Sequence, residues 1–441
     1  MVSRRRFIHS MIAVPTLLPA AAISLEKFSP GDPMWAQPPS PAVGKSAGSE
    51  VEFWQNIRGQ FLIPRDEAFF NTATLGAMPR SVVETVTTNM SELTATVAHW
   101  DYRPEHPDWF SGYRNFPVLM EKIAKLIHCN ADEVCTTQNA TFGMNFIAQG
   151  IDLKPGDEIL QTDQEHPGGS CGWQEQAKRR GAVWRSVTLP MPPNDPDEIV
   201  RRFAAALNSK TRVLAIPHMT SMLGLVLPVK RLTALARQQG ARNVFVVIDG
   251  AQALGHIHVD VRDLDCDAYY SSPHKWLMAP AGSGMLYVKK DHQPEIWTTL
   301  ASADWASYDK GAYRFMQYGT GNLSLLKGYE AAIDFHNKVG HERVLSRIKQ
   351  LGDYLRLEIQ KIHGATILSS THPEMCAGIT TWRIDGVSGE KMMDEFWNAR
   401  KIRVRSMGGK NGVRQATHIY NSEAEVDATL VMARQLANQT G

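Results

Sequence analysis

Three short and almost wholly apolar runs constrain the fold of this 441-residue chain more than any other feature. They occupy residues 213–216, 244–248 and 284–288. A strand that is buried on both faces needs apolar residues throughout, whereas a strand with one solvated face alternates apolar and polar residues. Together with the helical patterns around them, these runs predict an α/β fold with a mostly parallel, doubly wound sheet.

Two helical patterns adjoin the first two runs. Residues 195–207 begin with Asp195 and Pro196, which are typical of a helix N-terminus, and residues 231–239 end at Gly240. In doubly wound sheets, ligands bind beyond the carboxyl ends of the strands. Polar residues that directly follow a predicted strand are therefore the first candidates for a functional site.

The N-terminus has the composition of an export signal. Arg4, Arg5 and Arg6 precede an apolar run over residues 11–23, which includes small residues at 20–22. A bilayer-spanning helix needs about 20 apolar residues, so this run is too short to be one. The order Ser-Arg-Arg-x-Phe-Ile resembles a twin-arginine signal, which the export machinery reads as an address. We predict a signal over residues 1–25, a flexible linker over residues 26–50 and a periplasmic location.

Charge and cysteine content exclude several classes of protein. The net charge is +2, and without the three N-terminal arginines the remaining chain carries −1, so no nucleic-acid-binding surface is predicted. Five cysteines without a Cys-x-x-Cys pair are too few for a disulfide scaffold. The 15 histidines include no His-Glu-x-x-His motif, so no metal site is predicted.

An acid and a lysine carry the chemistry that the sequence indicates. Asp249 directly follows the second apolar run, and Lys275 lies between His274 and Trp276 before a Gly-rich turn. A carboxylate at a buried strand end costs several kcal/mol unless it meets a donor or a cation. Burial lowers the pKa of a lysine and so favours its neutral, nucleophilic amine. The pair suits a pyridinium cofactor, because the amine can bond to an aldehyde while the carboxylate keeps the ring nitrogen protonated.

These residues also carry a family resemblance. Asp249-x-x-Gln252 and Ser272-x-His274-Lys275-Trp276 resemble the class V aminotransferase family of pyridoxal-phosphate enzymes, which have fold type I. The likeness runs from about residue 69 to residue 427, and residues 218–229 are closer to its isopenicillin N epimerase-like branch than to its desulfurase branch. The resemblance implies a large cofactor-binding domain, a smaller α+β C-terminal domain and a short segment before them. We assign these to residues 79–301, 302–441 and 51–78, respectively.

The resemblance also assigns roles to individual residues. It implies pyridoxal 5'-phosphate as cofactor, with Lys275, Asp249 and His166 as catalytic groups. The residues that it places at the cofactor are Asn139, Ala140, Thr141, Thr220, Asp249, Gln252, Ser272, His274, Lys275 and Thr320. It places Asn71 and Arg414 at the substrate, where the planar guanidinium of Arg414 suits a carboxylate.

Thr320 is expected to act in a second subunit. It lies in a Gly-Thr-Gly turn that resembles the family segment reaching the phosphate of the neighbouring chain, although Met316 stands where the family often has Glu. The resemblance therefore implies a homodimer with shared active sites. In a single chain, Thr320 should then lie away from Lys275.

The remaining alternatives differ in the reaction. A cysteine desulfurase needs a nucleophilic cysteine before Arg414, and residues 405–410 contain none. An inactive binding protein would lack Lys275 or Asp249. Transamination, epimerisation and elimination share the same residues, so an amino-acid epimerase or a lyase stays open. Export and family together suggest aminotransferase-type tailoring of a siderophore (pyoverdine) precursor, with a small-molecule or peptide amino group as substrate.

Overall fold

The computed structural model describes residues 50–101, 103 and 116–439. The predicted signal and almost all of the predicted linker lie outside the described residues. Within the described ranges, no helix is both long enough and apolar enough to cross a membrane.

The described chain contains strands and helices in alternation. The strands are β1 (Ala68–Phe69), β2 (Val134–Thr137), β3 (Glu158–Thr162), β4 (Val183–Val187), β5 (Thr211–Pro217), β6 (Phe245–Asp249), β7 (Ala268–Ser271), β8 (Gly284–Val288), β9 (Ala365–Ile367), β10 (Ile379–Ile384), β11 (Ile402–Arg403), β12 (Arg405–Ser406) and β13 (Val413–Ala416). The helices are α1 (Glu50–Arg58), α2 (Arg80–Ala95), α3 (Pro117–Ile127), α4 (Ala140–Gly150), α5 (Pro167–Arg180), α6 (Pro196–Ala206), α7 (Val229–Gln239), α8 (Leu323–Val339), α9 (His341–Ile359), α10 (Gly389–Arg400) and α11 (Glu423–Asn438). Short 3-10 turns occupy Val97–His99, Ala131–Glu133, Lys290–Glu295, Tyr308–Met316 and Gly409–Asn411.

A seven-stranded sheet forms the centre of the larger part. Its strand order is β2-β8-β7-β6-β5-β3-β4. Strands β3 to β7 run parallel to one another, whereas β8 runs antiparallel to both β7 and β2. The predicted α/β class with a mostly parallel sheet is confirmed. The apolar run at residues 284–288 is the strand that runs in the opposite direction.

Local sequence explains where the helices around this sheet begin and end. Helix α6 starts after Asp195, whose side chain accepts a hydrogen bond from the Asp197 backbone N–H. Helix α5 ends at Gly181, which has a φ of 70° that L-residues with a side chain adopt at a cost. Every residue of β6 is buried, as its unbroken apolar sequence predicts.

A second, antiparallel sheet has the order β12-β13-β10-β9 and packs against α9, α10 and α11. Buried Trp382 and Phe396 belong to its separate hydrophobic core. Helix α8 lies after the predicted domain boundary at residue 301, but its residues Tyr329 and Ile333 join the core of the larger sheet. The division into two domains stays a prediction.

The carboxyl ends of β5, β6 and β7 lie side by side and define one edge of the large sheet. Pro217 is the register partner of Asp249, and Asp249 is the partner of Tyr270. The segment after β1 lies across this edge, because the Gly76 N–H donates to the His274 carbonyl at 2.8 Å. A Cβ at Gly76 would lie 1.9 Å from the Lys275 carbonyl oxygen, so this close approach requires glycine. The fold thereby brings four distant segments together at one place.

Candidate active site

A cavity of about 260 Å³ opens at this edge of the sheet. Ten of the predicted site residues line it, although they come from widely separated parts of the chain. They are Asn139, Ala140, Thr141, His166, Asp249, Gln252, Ser272, His274, Lys275 and Arg414. Their roles toward a cofactor or a substrate stay predictions, but the structure places these side chains around one space.

Asp249 presents one carboxylate oxygen to the cavity. Its Oδ1 accepts a hydrogen bond from the Ala251 backbone N–H at 2.8 Å, while no described residue donates to Oδ2. Burial raises the pKa of Asp249, and the Ala251 N–H and the charge of Lys275 oppose that rise. A Cβ at Gly169 would lie 2.5 Å from Oδ2, so the glycine keeps the space beside this oxygen free. The arrangement leaves Oδ2 free to accept a hydrogen bond from a protonated ring nitrogen.

Glu165 is a second acid near Asp249 that the sequence did not single out. Burial and the negative charge of Asp249 raise the pKa of Glu165 well above its ordinary value. Its Oε1 accepts from the N–H and the hydroxyl of Thr162, so the side chain is held in place. Because two nearby carboxylates cannot easily both ionise, a protonated Glu165 leaves the negative charge with Asp249.

Lys275 has a pKa well below that of an ordinary lysine. Burial lowers its pKa to about 8, and the charges of Arg414 and Arg405 act in the same direction while Asp249 opposes them. The backbone N–H of Lys275 donates to the Ser272 carbonyl at 3.0 Å, which fixes the turn after β7. An amine with this pKa is partly unprotonated near neutral pH, as attack on an aldehyde requires.

The N-terminus of α4 also lines the cavity, with groups that suit an anion. The Asn139 side chain caps the helix by accepting from the Phe142 N–H at 3.1 Å. The Ser272 hydroxyl accepts from the Ala140 N–H at 3.0 Å, which leaves its own proton free to donate. His274 pairs through Nδ1 with the Ser283 carbonyl at 3.2 Å. Free N–H and O–H groups at a helix N-terminus suit a phosphate.

Two further predicted residues line the cavity while making fixed contacts. His166 caps α5, since its Nδ1 accepts from the Gly168 N–H at 3.0 Å. Burial lowers the pKa of His166, and Lys275 adds to this effect, so the ring is held neutral. Gln252 donates to the Ala73 carbonyl at 2.9 Å and accepts from the Trp276 indole at 2.7 Å.

Thr220 is not among the residues that line the cavity, and its role at the cofactor stays a prediction. Its side chain is fully buried, and its hydroxyl accepts from the Leu225 N–H at 3.2 Å. The hydroxyl is therefore used to close the turn that follows β5. Its neighbours Met219 and Ser221 line the cavity instead.

Arg414 is buried and held in one position. Its guanidinium donates to the Ser221 carbonyl at 2.7 Å, to the Thr74 hydroxyl at 2.8 Å and to the Asn71 side chain at 3.3 Å. Asn71 is not among the residues that line the cavity, so in this structure it positions Arg414. Burial lowers the pKa of Arg414, and nearby Arg405 adds to this effect.

Arg405 is the functional candidate that the sequence did not reveal. It lines the cavity and is the direct antiparallel partner of Arg414 across β12 and β13. Like charges in this position destabilise a sheet, and no carboxylate lies within 4.0 Å of either guanidinium in the described part of the chain. An anionic ligand would relieve this repulsion. The pairing of Arg405 with Arg414 depends on strand register, and local sequence does not reveal that register.

Thr320 and the cysteines lie away from the cavity. Thr320 is exposed and does not line the cavity of its own chain. That placement is what a shared site requires, while the dimer itself stays a prediction. None of the five cysteines, all within the described residues, lines the cavity, and Cys376 is buried with its thiol 3.2 Å from the His372 carbonyl oxygen.

Comparison with known proteins identifies the family. The model of a family described as aminotransferase class-V matches residues 69–434. The chain belongs to the class V aminotransferase family. This match spans both sheets and every residue that lines the cavity.

Individual relatives have different activities. The chain is 30% identical over 407 residues to the isopenicillin N epimerase of Amycolatopsis lactamdurans, covering 87% of this chain and 98% of the relative. It is 28% identical over 334 residues to a probable cysteine desulfurase of Halalkalibacterium halodurans, covering 70% and 79%. The chain is also similar to a solved structure of C-DES, a lysine-to-alanine mutant with glycine covalently linked to its PLP cofactor. The TM-score is 0.74 at 26% identity, and the match covers 85% of this chain and 98% of that one.

As a member of the class V aminotransferase family, the protein is a PLP-dependent enzyme, and the residues of its cavity fit this cofactor. The free Oδ2 of Asp249 would hold the ring nitrogen, and the N-terminus of α4 with Ser272 would hold the phosphate. Lys275 would attach the cofactor through its neutral Nζ. When bound, PLP supplies an electron sink for charge that develops on the substrate carbon beside the amino group.

Three side chains of the cavity would contribute to substrate binding and proton transfer. Arg414 is the residue predicted to bind a substrate carboxylate, which would fix the orientation of the substrate. The Nζ of Lys275, with its lowered pKa, can take up and return a proton at the substrate carbon. His166 lines the cavity, and its lowered pKa favours the uncharged ring there.

We expect Lys275 to carry the cofactor covalently. Borohydride treatment of the yellow holoenzyme should fix the cofactor on the peptide that contains Lys275, because reduction makes a carbon–nitrogen bond permanent. The Lys275→Ala variant should show no such adduct, whereas Lys210→Ala, which changes an exposed lysine, should behave as wild type. Peptide mass spectrometry checks both variants. A Lys275→Ala protein with the native turnover rate would contradict the assignment.

Proposed function

We propose that this PLP enzyme acts on the amino group of an amino acid or of a peptide-linked amino acid. The observation that carries the proposal is the shared cavity of Lys275 and Arg414, which sets an amine nucleophile beside a carboxylate anchor. The proposed role is aminotransferase-type tailoring of a siderophore precursor of the pyoverdine kind. Support for that role comes from the family together with the predicted export signal.

The two arginines favour a substrate with acidic groups. The terminal nitrogens of Arg414 donate to protein partners at the cavity, whereas Arg405 is exposed and, among the described residues, donates to the Thr74 hydroxyl alone, at 3.2 Å. A substrate without a carboxylate would leave both of these adjacent charges without a counter-ion. A glutamyl group with a free amine, such as one at a peptide N-terminus, offers a carboxylate for this pair.

Epimerisation is the second candidate reaction. Its support is the 30% identity to an isopenicillin N epimerase over nearly the whole of that relative. Sulfur transfer through a cysteine nucleophile has less support, because no cysteine lines the cavity in the described chain. Transamination, epimerisation and elimination use the same residues, but their products differ and can be told apart.

The test of the reaction uses purified holoenzyme in heavy water. A peptide with an N-terminal glutamyl residue is incubated with the enzyme, and mass spectrometry follows its product. Transamination replaces the amine by a ketone, whereas epimerisation introduces one deuterium and otherwise preserves the composition. Elimination removes a substituent. Conversion of the amine to a ketone supports the proposal, while deuterium exchange without other change would favour epimerisation instead.

The test of the substrate class uses Arg405→Met. We expect the KM for a glutamyl substrate to rise about tenfold or more, since a hydrogen bond to a charged group is worth about 1.5–3 kcal/mol. The KM for a leucyl analogue should change little. Arg403→Met is the matched control, because that arginine stacks on Trp397 at 4.1 Å and does not line the cavity. An equal rise in KM for both substrates would contradict a role for Arg405 in choosing acidic substrates.

Export through the twin-arginine route is part of the proposed role. Replacing Arg4 and Arg5 together with lysine keeps the charge of the N-terminus but removes the arginine pair. We expect the enzyme to move from the periplasmic to the cytoplasmic fraction of the producing cell, as judged by immunoblotting. An unchanged distribution of this double variant would refute twin-arginine export.

The proposed working unit is a homodimer in which Thr320 contacts the phosphate in the partner's site. Thr320→Asp should then repel the phosphate, and Lys275→Ala should lose the cofactor bond, so each variant alone is inactive. Co-expression of the two variants should form heterodimers and restore activity. One site of the heterodimer then combines Lys275 of one chain with Thr320 of the other, so it carries neither change. Sedimentation velocity establishes the oligomer. An active wild-type monomer, or heterodimers without activity, would disprove shared sites.

A further inference from the structure

Three metal-ligating side chains meet on the surface away from the cavity. They are His128, His258 and Asp260, and each offers one ligand atom within 4.8 Å of the others. Both histidines are exposed, and Asp260 is half-buried. None of the three lines the cavity that holds Lys275.

The backbone around this cluster holds two of its members in place. His128 follows the last residue of α3 and has a φ of 60°, which turns the chain at the end of that helix. The Oδ1 of Asp260 accepts from the backbone N–H groups of Arg262 and Asp263, each at 2.9 Å. Its Oδ2 faces His128 Nδ1 at 2.7 Å. The carboxylate is thereby fixed before any ligand arrives.

An ordinary ion pair accounts for only part of this arrangement. The contact between His128 and Asp260 needs no third group, yet the ring of His258 lies 5.5 Å from that of His128. Among the described residues, the side chain of His258 has no hydrogen-bond or ion-pair partner. Its ring nitrogens therefore keep their capacity to bind a ligand.

We propose that His128, His258 and Asp260 bind one divalent transition-metal ion, with Zn²⁺ as the best match. Zn²⁺ takes imidazole and carboxylate ligands, and three protein ligands leave its fourth position for water. Imidazole nitrogens discriminate against Mg²⁺ and Ca²⁺, which prefer oxygen. The sequence predicted no metal because the two histidines lie far apart in the chain and match no motif.

A second set also contains His258 but is less well prepared. It adds His341 and Glu342 to His258. Glu342 is exposed in the first turn of α9, and His341 already pairs through Nδ1 with His336 Nε2 at 2.9 Å. The carboxylate of Asp260, by contrast, is held by two backbone donors. The site is therefore assigned to the set that contains Asp260.

An ion at this site would join the end of α3 to the segment that follows β6. In that segment, the ring of His256 stacks on Trp276 with a centroid separation of 3.4 Å, next to Lys275 in the chain. A ligand that binds only the folded state raises its stability by mass action. Metal binding should therefore be visible as a change in thermal stability as well as in stoichiometry.

The experiment titrates chelator-treated holoenzyme with Zn²⁺ alone. Equilibrium dialysis with elemental analysis measures the bound ion, and a parallel thermal scan records the unfolding midpoint. We expect one Zn²⁺ per chain, together with a midpoint that rises with Zn²⁺ concentration. His258→Ala should lose both effects, whereas His363→Ala, which changes an exposed histidine elsewhere, should keep both.

Two further variants establish the ligand set. His128→Asn, which tolerates a left-handed backbone, and Asp260→Asn should each weaken Zn²⁺ binding roughly tenfold or more. His341→Ala should bind as wild type. Binding by His258→Ala equal to that of wild type would overturn the proposal, as would loss of binding in His341→Ala with retention in His128→Asn. Circular dichroism confirms that each variant is folded, and Asp260→Asn gives an independent answer if His258→Ala is not.

Discussion

The burial of a carboxylate beside a lysine is the constraint on which the site depends. Asp249 ends a strand with no polar residue before it, so its charge lies at the edge of the apolar core. Lys275 offsets part of the cost from the neighbouring turn, and Glu165 is pushed toward its neutral form. The free oxygen of Asp249 and the lowered pKa of Lys275 are two results of the same low-polarity environment. A pyridinium ring with an aldehyde satisfies both groups together.

The two arginines at the cavity are the basis of the proposed choice of substrate. Arg405 and Arg414 face each other across two short strands of the smaller sheet, while Asp249 and Lys275 belong to the larger one. The site is thus built where the two sheets meet. The residues predicted to hold the cofactor come from the larger sheet and the two arginines from the smaller one, so the proposed choice of substrate can change with Arg405 while the cofactor groups stay the same.

Sequence patterns predicted the parts of the fold and site that depend on neighbouring residues. Unbroken apolar runs identified β5 and β6, because only doubly buried strands need such composition. Asp249 and Lys275 were identifiable because their surroundings in the chain are unfavourable for ordinary surface charges. The role of Thr220 stays a prediction: its hydroxyl closes a turn after β5, and a hydroxyl next to a strand end can do this while its own proton remains available.

The sequence by itself determined the α/β class and the family, and it identified the residues that are predicted to serve a PLP cofactor. Only the tertiary structure decided that Arg405 lies opposite Arg414 and that His258 lies beside His128. The physical reason is that both pairings depend on strand register and on the packing of segments that are distant in the chain. Such contacts are set by the whole core, and no short stretch of sequence contains them.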